Sequence, residues 1–122
     1  HKKDRIPIVY TNTKVKDALL IISEKGFGMT AVLNIDNEMV GIITDGDIRR
    51  ALERKGNKIF DQTADYLMSK NPKWVTSDTL AISALELMEK HSITSLFVLS
   101  NPKLKRPDGV VHIHDILKTG IQ

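Results

Sequence analysis

Cysteine is absent from all 122 residues, so the chain has neither a disulfide framework nor a thiolate metal site. No apolar run approaches membrane-spanning length, and no signal-peptide core follows the opening His1-Lys2-Lys3-Asp4-Arg5; the expected location is the cytoplasm, with no membrane partner. The missing initial Met makes the chain read as a segment of something longer. Charge of one sign is scarce as well. Eighteen basic against fifteen acidic side chains give +3, which suits an anionic ligand but not the dense basic stripe of a nucleic-acid binder. There is no Walker-type glycine loop, no Gly-x-Ser-x-Gly elbow and no His-Glu-x-x-His, and Asp45-Gly46-Asp47 is too short for a calcium loop. No catalytic residue, resident metal or cofactor is therefore assigned, and the chain is not expected to be an enzyme by itself.

What is present suits a folded protein. Hydrophobic residues are 41% and charged residues 27%, too apolar for a disordered tail, and the length suits one domain or two half-domains sharing a core. The chain repeats itself. Val15, Ala18, Leu19 and Ile22 fall at i, i+3, i+4 and i+7 on one helix face, and Ala81, Ala84, Leu85 and Met88 reproduce that spacing about 66 residues later. Thr13 and Asp17 offer a polar start to the first helix and Gly26 a stop, while Ser77, Asp78 or Thr79 suits the start of the second. Each helix precedes an unalternating apolar run, Thr30-Ala31-Val32-Leu33 and Leu96-Phe97-Val98-Leu99, as expected of strands covered on both faces.

A polar turn follows each run, then a strand opening with glycine, Gly41-Ile42-Ile43 or Gly109-Val110-Val111. Both run into a four-residue pattern, Thr44-Asp45-Gly46-Asp47 or His112-Ile113-His114-Asp115, before a short helix. Asn57 to Gln62 reads as the linker, and Ala64–Met68 as a helical turn ending at Ser69-Lys70-Asn71-Pro72, which divides the chain into motifs 1–60 and 61–122. A lone copy would leave a sheet face bare, so the repeat predicts two halves paired sheet to sheet, with a polar cleft floored by Asp47 and Asp115.

Ile6-Pro7-Ile8-Val9, the stretch Gly41 to Ile48 and Tyr66-Leu67-Met68-Ser69-Lys70-Asn71-Pro72 resemble the signature of paired cystathionine-β-synthase (CBS) motifs, over nearly the whole chain. The resemblance implies an α+β fold of two βαββα motifs with pseudo-two-fold symmetry, a small-molecule effector in the cleft, and a homodimer through the CBS pairs. Lys25-Gly26-Phe27-Gly28-Met29-Thr30, Thr44 through Arg50 and His112-Ile113-His114-Asp115 are similar, more narrowly, to the regulatory pair of bacterial arabinose-5-phosphate isomerases. That likeness implies a covalently attached sugar-isomerase domain serving lipopolysaccharide synthesis, and as effector CMP-Kdo, with an adenine nucleotide such as AMP or ATP next.

Thr44 and Asp47 sit where a strand ends and a helix begins, a place that favours anions. By the resemblance the hydroxyl meets phosphate and the carboxylate meets ribose hydroxyls; the same residues also suit plain helix capping. Asp115 is the second-copy counterpart of Asp47, but His112 replaces the threonine. On a continuing strand His112 and His114 would face the same way and could donate to a ligand, or stand as partly exposed strand-end histidines. Arg49 and Arg50 bring forked cations near the same place, although a solvated helix face explains such a run equally. Thr30, Thr94 and Ser95 line the cleft by the resemblance. Two alternatives stand beside the sensor: a ligand-free dimerisation module, and a metal-responsive module through His112 and His114. The loop with Lys103, Lys105 and Arg106 receives no role.

Overall fold

A computed structural model describes residues 6–119; the opening His1–Arg5 segment and residues 120–122 lie outside the described residues. The chain divides into two compact units, Pro7–Pro72 and a second formed by Ile6 with Lys73 onward. Each has mixed strands and helices around one three-stranded sheet, the α+β class expected.

In the first unit β1 (Ile8–Tyr10) pairs parallel with β2 (Met29–Leu33), and β2 pairs antiparallel with β3 (Met39–Thr44), with β2 central. Every residue of β2 is buried, as its unbroken apolar run requires, whereas β3 buries alternate residues. Helix α1 (Val15–Lys25) turns Val15, Ala18 and Ile22 into a core shared with Val9, Val32 and Ile43. Burying each such side chain contributes about 1.5–3 kcal/mol for the larger ones. Gly26 ends the helix with φ 79°, a left-handed conformation that costs glycine least, and its N–H donates to the Ile22 carbonyl.

The start of α1 differs from expectation. Neither Thr13 nor Asp17 caps it; the N-cap is Lys14, without a side-chain bond. The Thr13 hydroxyl instead accepts from Tyr10 N at 2.9 Å, closing the turn that leaves β1. The second unit does the same, since Thr79 Oγ1 accepts from Thr76 N at 3.1 Å and the helix Ala81–His91 begins only after Leu80, with no side-chain cap from Ser77, Asp78 or Thr79.

After α2 (Asp45–Lys55) come a 3-10 turn (Gly56–Asp61) and the one-turn helix α3 (Ala64–Leu67). The repeat places a division at 60/61, but packing carries the first unit on to Pro72. The reason is apolar: Ile59 and Ala64 lie in the first core, with Phe60, Leu67 and Met68 against it. Backbone bonds add to this, from Val15 N to Gln62 O, from Ala64 N to Thr13 O, and in both directions between Ile42 and Ser69.

On this unit's surface the Lys55 ammonium lies 5.6 Å from the centre of the Tyr66 ring. A hydrogen bond from Lys55, then its charge, and more weakly the charge of Lys58, hold the Tyr66 phenol below the ordinary tyrosine range, because each favours the phenolate. In a Tyr10→Phe background, which leaves one tyrosine, Lys55→Met is expected to raise the pH at which Tyr66 ionises. Absorbance titration near 295 nm reads this directly; an unchanged midpoint would rule out the pairing.

The second unit repeats the plan. Strand β4 (Trp74–Val75) pairs parallel with β5 (Ser95–Val98), and β5 antiparallel with β6 (Gly109–His112). Helix α4 (Ala81–His91) sets Ala84 and Met88 against Val75, Leu96 and Ile116, the last on α5 (Ile113–Thr119). Among the described residues no helix is long and apolar enough to cross a membrane.

Candidate ligand site

The two strand-to-helix junctions are where chemistry-bearing side chains gather. In the first unit β3 delivers Thr44 in extended conformation (φ −102°, ψ 161°), and α2 starts at the next residue. Asp47 Oδ2 accepts from Thr44 N at 2.9 Å, while Thr44 Oγ1 accepts from Asp47 N at 3.0 Å. This reciprocal capping box satisfies two amides that the first helical turn leaves without partners. The other carboxylate oxygen, Oδ1, takes a 2.7 Å bond from Arg50 Nη2. With half of the Arg50 side chain exposed, such a pair contributes little to stability and exchanges readily for another partner. Both arginines fold back over the first turn: a Cβ on Gly46 would sit 3.1 Å from Arg50 Nη1 and 3.6 Å from Arg49 Nη2. Arg50, three residues on from Asp47 where Arg49 is only two, is the one that touches it, as helical spacing favours.

The second unit builds the same junction from other atoms. Asp115 Oδ2 accepts from His112 N at 3.0 Å, matching Asp47 on Thr44. Where Thr44 offers a hydroxyl, His112 offers ring Nδ1, which accepts from His114 N at 3.1 Å and so places the ring proton on Nε2. The strand ends at His112, so the expectation of His114 on a continuing strand is corrected: His114 lies in the first turn of α5. The rings nevertheless meet, stacked with centroids 4.8 Å apart and planes 23° apart. Among the described residues no three histidine or carboxylate side chains gather closely enough to hold a metal ion. An open hollow of about 460 Å³ lies beside this junction, lined by Val98, Ser100, Asp108, Gly109, Val111 and Asp115. Asp108, which sequence reasoning passed over, accepts from Ser100 N at 3.2 Å; its place just before Gly109 was the available signal.

Thr30, Thr94 and Ser95 do not occupy equivalent places. Met29 stands opposite Thr44, and Ser95 opposite His112, so the counterpart of Ser95 is Met29 and that of Thr30 is Leu96. One residue of offset turns a side chain to the other sheet face. Thr30 is fully buried with its hydroxyl on the Ala31 carbonyl at 3.1 Å, and Ser95 is buried too. Thr94 is exposed, and its carbonyl takes Ile113 N at 2.8 Å, as the Gly28 carbonyl takes Asp45 N at 3.1 Å.

Residues 3–54 and 64–121 each match the CBS domain. The chain belongs to the CBS-domain family. Over 117 residues, 96% of its length, this CBS pair is 41% identical to arabinose 5-phosphate isomerase KdsD of Francisella tularensis. That alignment takes in 35% of the isomerase; the pair spans about a third of the length of the curated relatives it matches. Among solved structures, a CBS-domain containing protein of Agrobacterium tumefaciens superposes with TM-score 0.82 at 21% identity, covering 93% of this chain and 82% of that one. The CBS domain pair of protein MJ0100, in complex with 5'-methylthioadenosine and S-adenosyl-L-methionine, superposes with TM-score 0.79 at 22% identity, covering 93% and 86%. Both likenesses concern the fold.

Proposed function

We propose that this CBS pair is the regulatory, ligand-sensing part of an arabinose-5-phosphate isomerase, covalently attached to the isomerase domain, assembled as a homodimer and working in the cytoplasm on the way to lipopolysaccharide. The effector is a nucleotide or nucleotide-sugar, CMP-Kdo first and an adenine nucleotide second. The observation that carries this reading is Asp47, whose Oδ2 is committed to the capping box while Oδ1 faces outward on an exchangeable guanidinium. A ligand's sugar hydroxyl can take that oxygen, and the displaced Arg50, with Arg49 beside it, then has a phosphate or carboxylate to grip. The likeness to KdsD supports the attached enzyme, and the adenosine compounds held by the MJ0100 pair support the ligand class.

Binding regulates only if the ligand favours one arrangement of the protein over another. Calorimetric titration of the chain with CMP-Kdo, CMP and AMP is expected to give saturable heat, strongest for CMP-Kdo, together with a rise in melting temperature. Silence from all three in both measurements would end the sensing proposal. It would leave a ligand-free assembly module, which the exposed Leu20, Leu80 and Ile82 on or next to helices α1 and α4 would serve.

A further inference from the structure

Three of the four methionines are buried, Met29 at 4%, Met39 at 7% and Met88 at 1% exposure. Met68 is only partly buried, at the end of α3, where the chain leaves in extended conformation (φ −61°, ψ 149°). Its side chain lies over Gly41 of β3, so close that a Cβ on that glycine would stand 2.5 Å from Met68 Sδ and 2.8 Å from the Ser69 carbonyl oxygen. The glycine is a seat for the thioether. Beside the seat Ile42 and Ser69 exchange two backbone bonds, Ile42 N to Ser69 O at 3.0 Å and Ser69 N to Ile42 O at 2.9 Å. Met68 N is spent on the Ala64 carbonyl, also at 2.9 Å.

That seat suits a sulfur and not a sulfoxide. Oxidation gives the side chain a polar oxygen, larger than the lone pair it replaces and an acceptor only. The polar atom at the seat is itself an acceptor, the Ser69 carbonyl, and the amides of Ile42, Met68 and Ser69 already have partners. A sulfoxide therefore either stays without a donor, which is costly, or turns out to solvent and uncovers the paired backbone.

We infer that Met68 is an oxidation-sensitive latch, holding the segment after α3 on the edge of β3 as a thioether and releasing it as a sulfoxide. The oxidant is a peroxide. The thioether lone pair attacks one peroxide oxygen, the O–O bond breaks, the S–O bond forms and water leaves, so that sulfur loses two electrons and the peroxide gains them. The release is local, but Ile42 lies only two residues before Thr44, where β3 runs into the capping box with Asp47. Loosening the strand there reaches the junction, and nucleotide affinity falls with it; this last step rests on the ligand reading proposed above.

The whole chain is treated with hydrogen peroxide, and peptide mass spectrometry follows each methionine. Met68 is expected to oxidise before Met29, Met39 and Met88. As its sulfoxide forms, the melting temperature is expected to fall roughly 5 °C and hydrogen exchange at the Ile42 and Ser69 amides to quicken severalfold. Methionine sulfoxide reductase is expected to reverse both changes. Met68→Leu, which keeps an apolar side chain on the seat without the sulfur, is expected to melt close to wild type and to ignore peroxide. A buried methionine oxidised first, or Met68 sulfoxide that melts and exchanges as the thioether does, overturns the latch. Should Met68→Leu fail to fold, wild type before and after the reductase decides the question alone. Calorimetry with AMP reads the last step: a fall in melting temperature with unchanged affinity removes the link to the junction, while a reduced chain that binds no AMP counts against the ligand reading and leaves the latch to the melting and exchange results.

Discussion

Gly41→Ala is expected to lower stability by about 3 kcal/mol and the melting temperature by roughly 10–15 °C. Gly41 lies buried in the middle of β3, and an alanine Cβ there would come to 2.5 Å from Met68 Sδ, 2.7 Å from Met68 Cγ and 2.8 Å from the Ser69 carbonyl oxygen. The methionine can swing aside. The carbonyl cannot, because Ser69 is bonded in both directions to Ile42, at 3.0 and 2.9 Å, next to the substituted residue. Inserting the methyl therefore tears the segment after α3 from the edge of β3 or distorts the strand. Adding Met68→Ala relieves the sulfur contact but leaves the carbonyl, so the double variant is expected to recover only part of the loss. Thermal unfolding followed by circular dichroism decides it; a Gly41→Ala protein that melts with wild type would show that the two strands have room to part.

Asp47 gives the second large effect, on binding. Asp47→Ala removes the acceptor for Thr44 N and the partner of Arg50, and is expected to cost about 1 kcal/mol of stability through the cap. Nucleotide affinity is expected to fall about 10- to 100-fold, the loss of hydrogen bonds to a charged group. Asp47→Asn separates the two roles. Its amide oxygen can still accept from Thr44 N, so stability should stay near wild type while affinity falls. Urea unfolding and calorimetry with AMP and CMP measure both arms for each variant. Undiminished affinity in Asp47→Ala would place the ligand elsewhere.

Much of the fold is legible in the chain's periodicities. Val15, Ala18 and Ile22 are buried as their spacing requires, and Ala84 and Met88 repeat the pattern in the second unit. The junction carboxylates were equally legible, since a box between Thr44 and Asp47 joins residues three apart. The helix starts were not. Thr13 and Thr79 are good capping residues by type, but each closes a turn back to the preceding strand, and nothing local chooses between the two uses of a hydroxyl. Thr30 and Ser95 stand one register position apart, as the 66-residue repeat already has it by setting Thr30 against Leu96, and the pairing with β3 and β6 agrees.

By itself, then, the order of residues determined the repeated helix and strand pattern, the covered central strands and a carboxylate at each strand-to-helix junction, because these depend on neighbours within a turn or two. Tertiary structure alone decided that residues 61–72 pack with the first unit and that Gly41 lies against Met68. Those outcomes turn on rotamers, strand register and apolar surfaces brought together from distant parts of the chain, which spacing along a sequence does not encode.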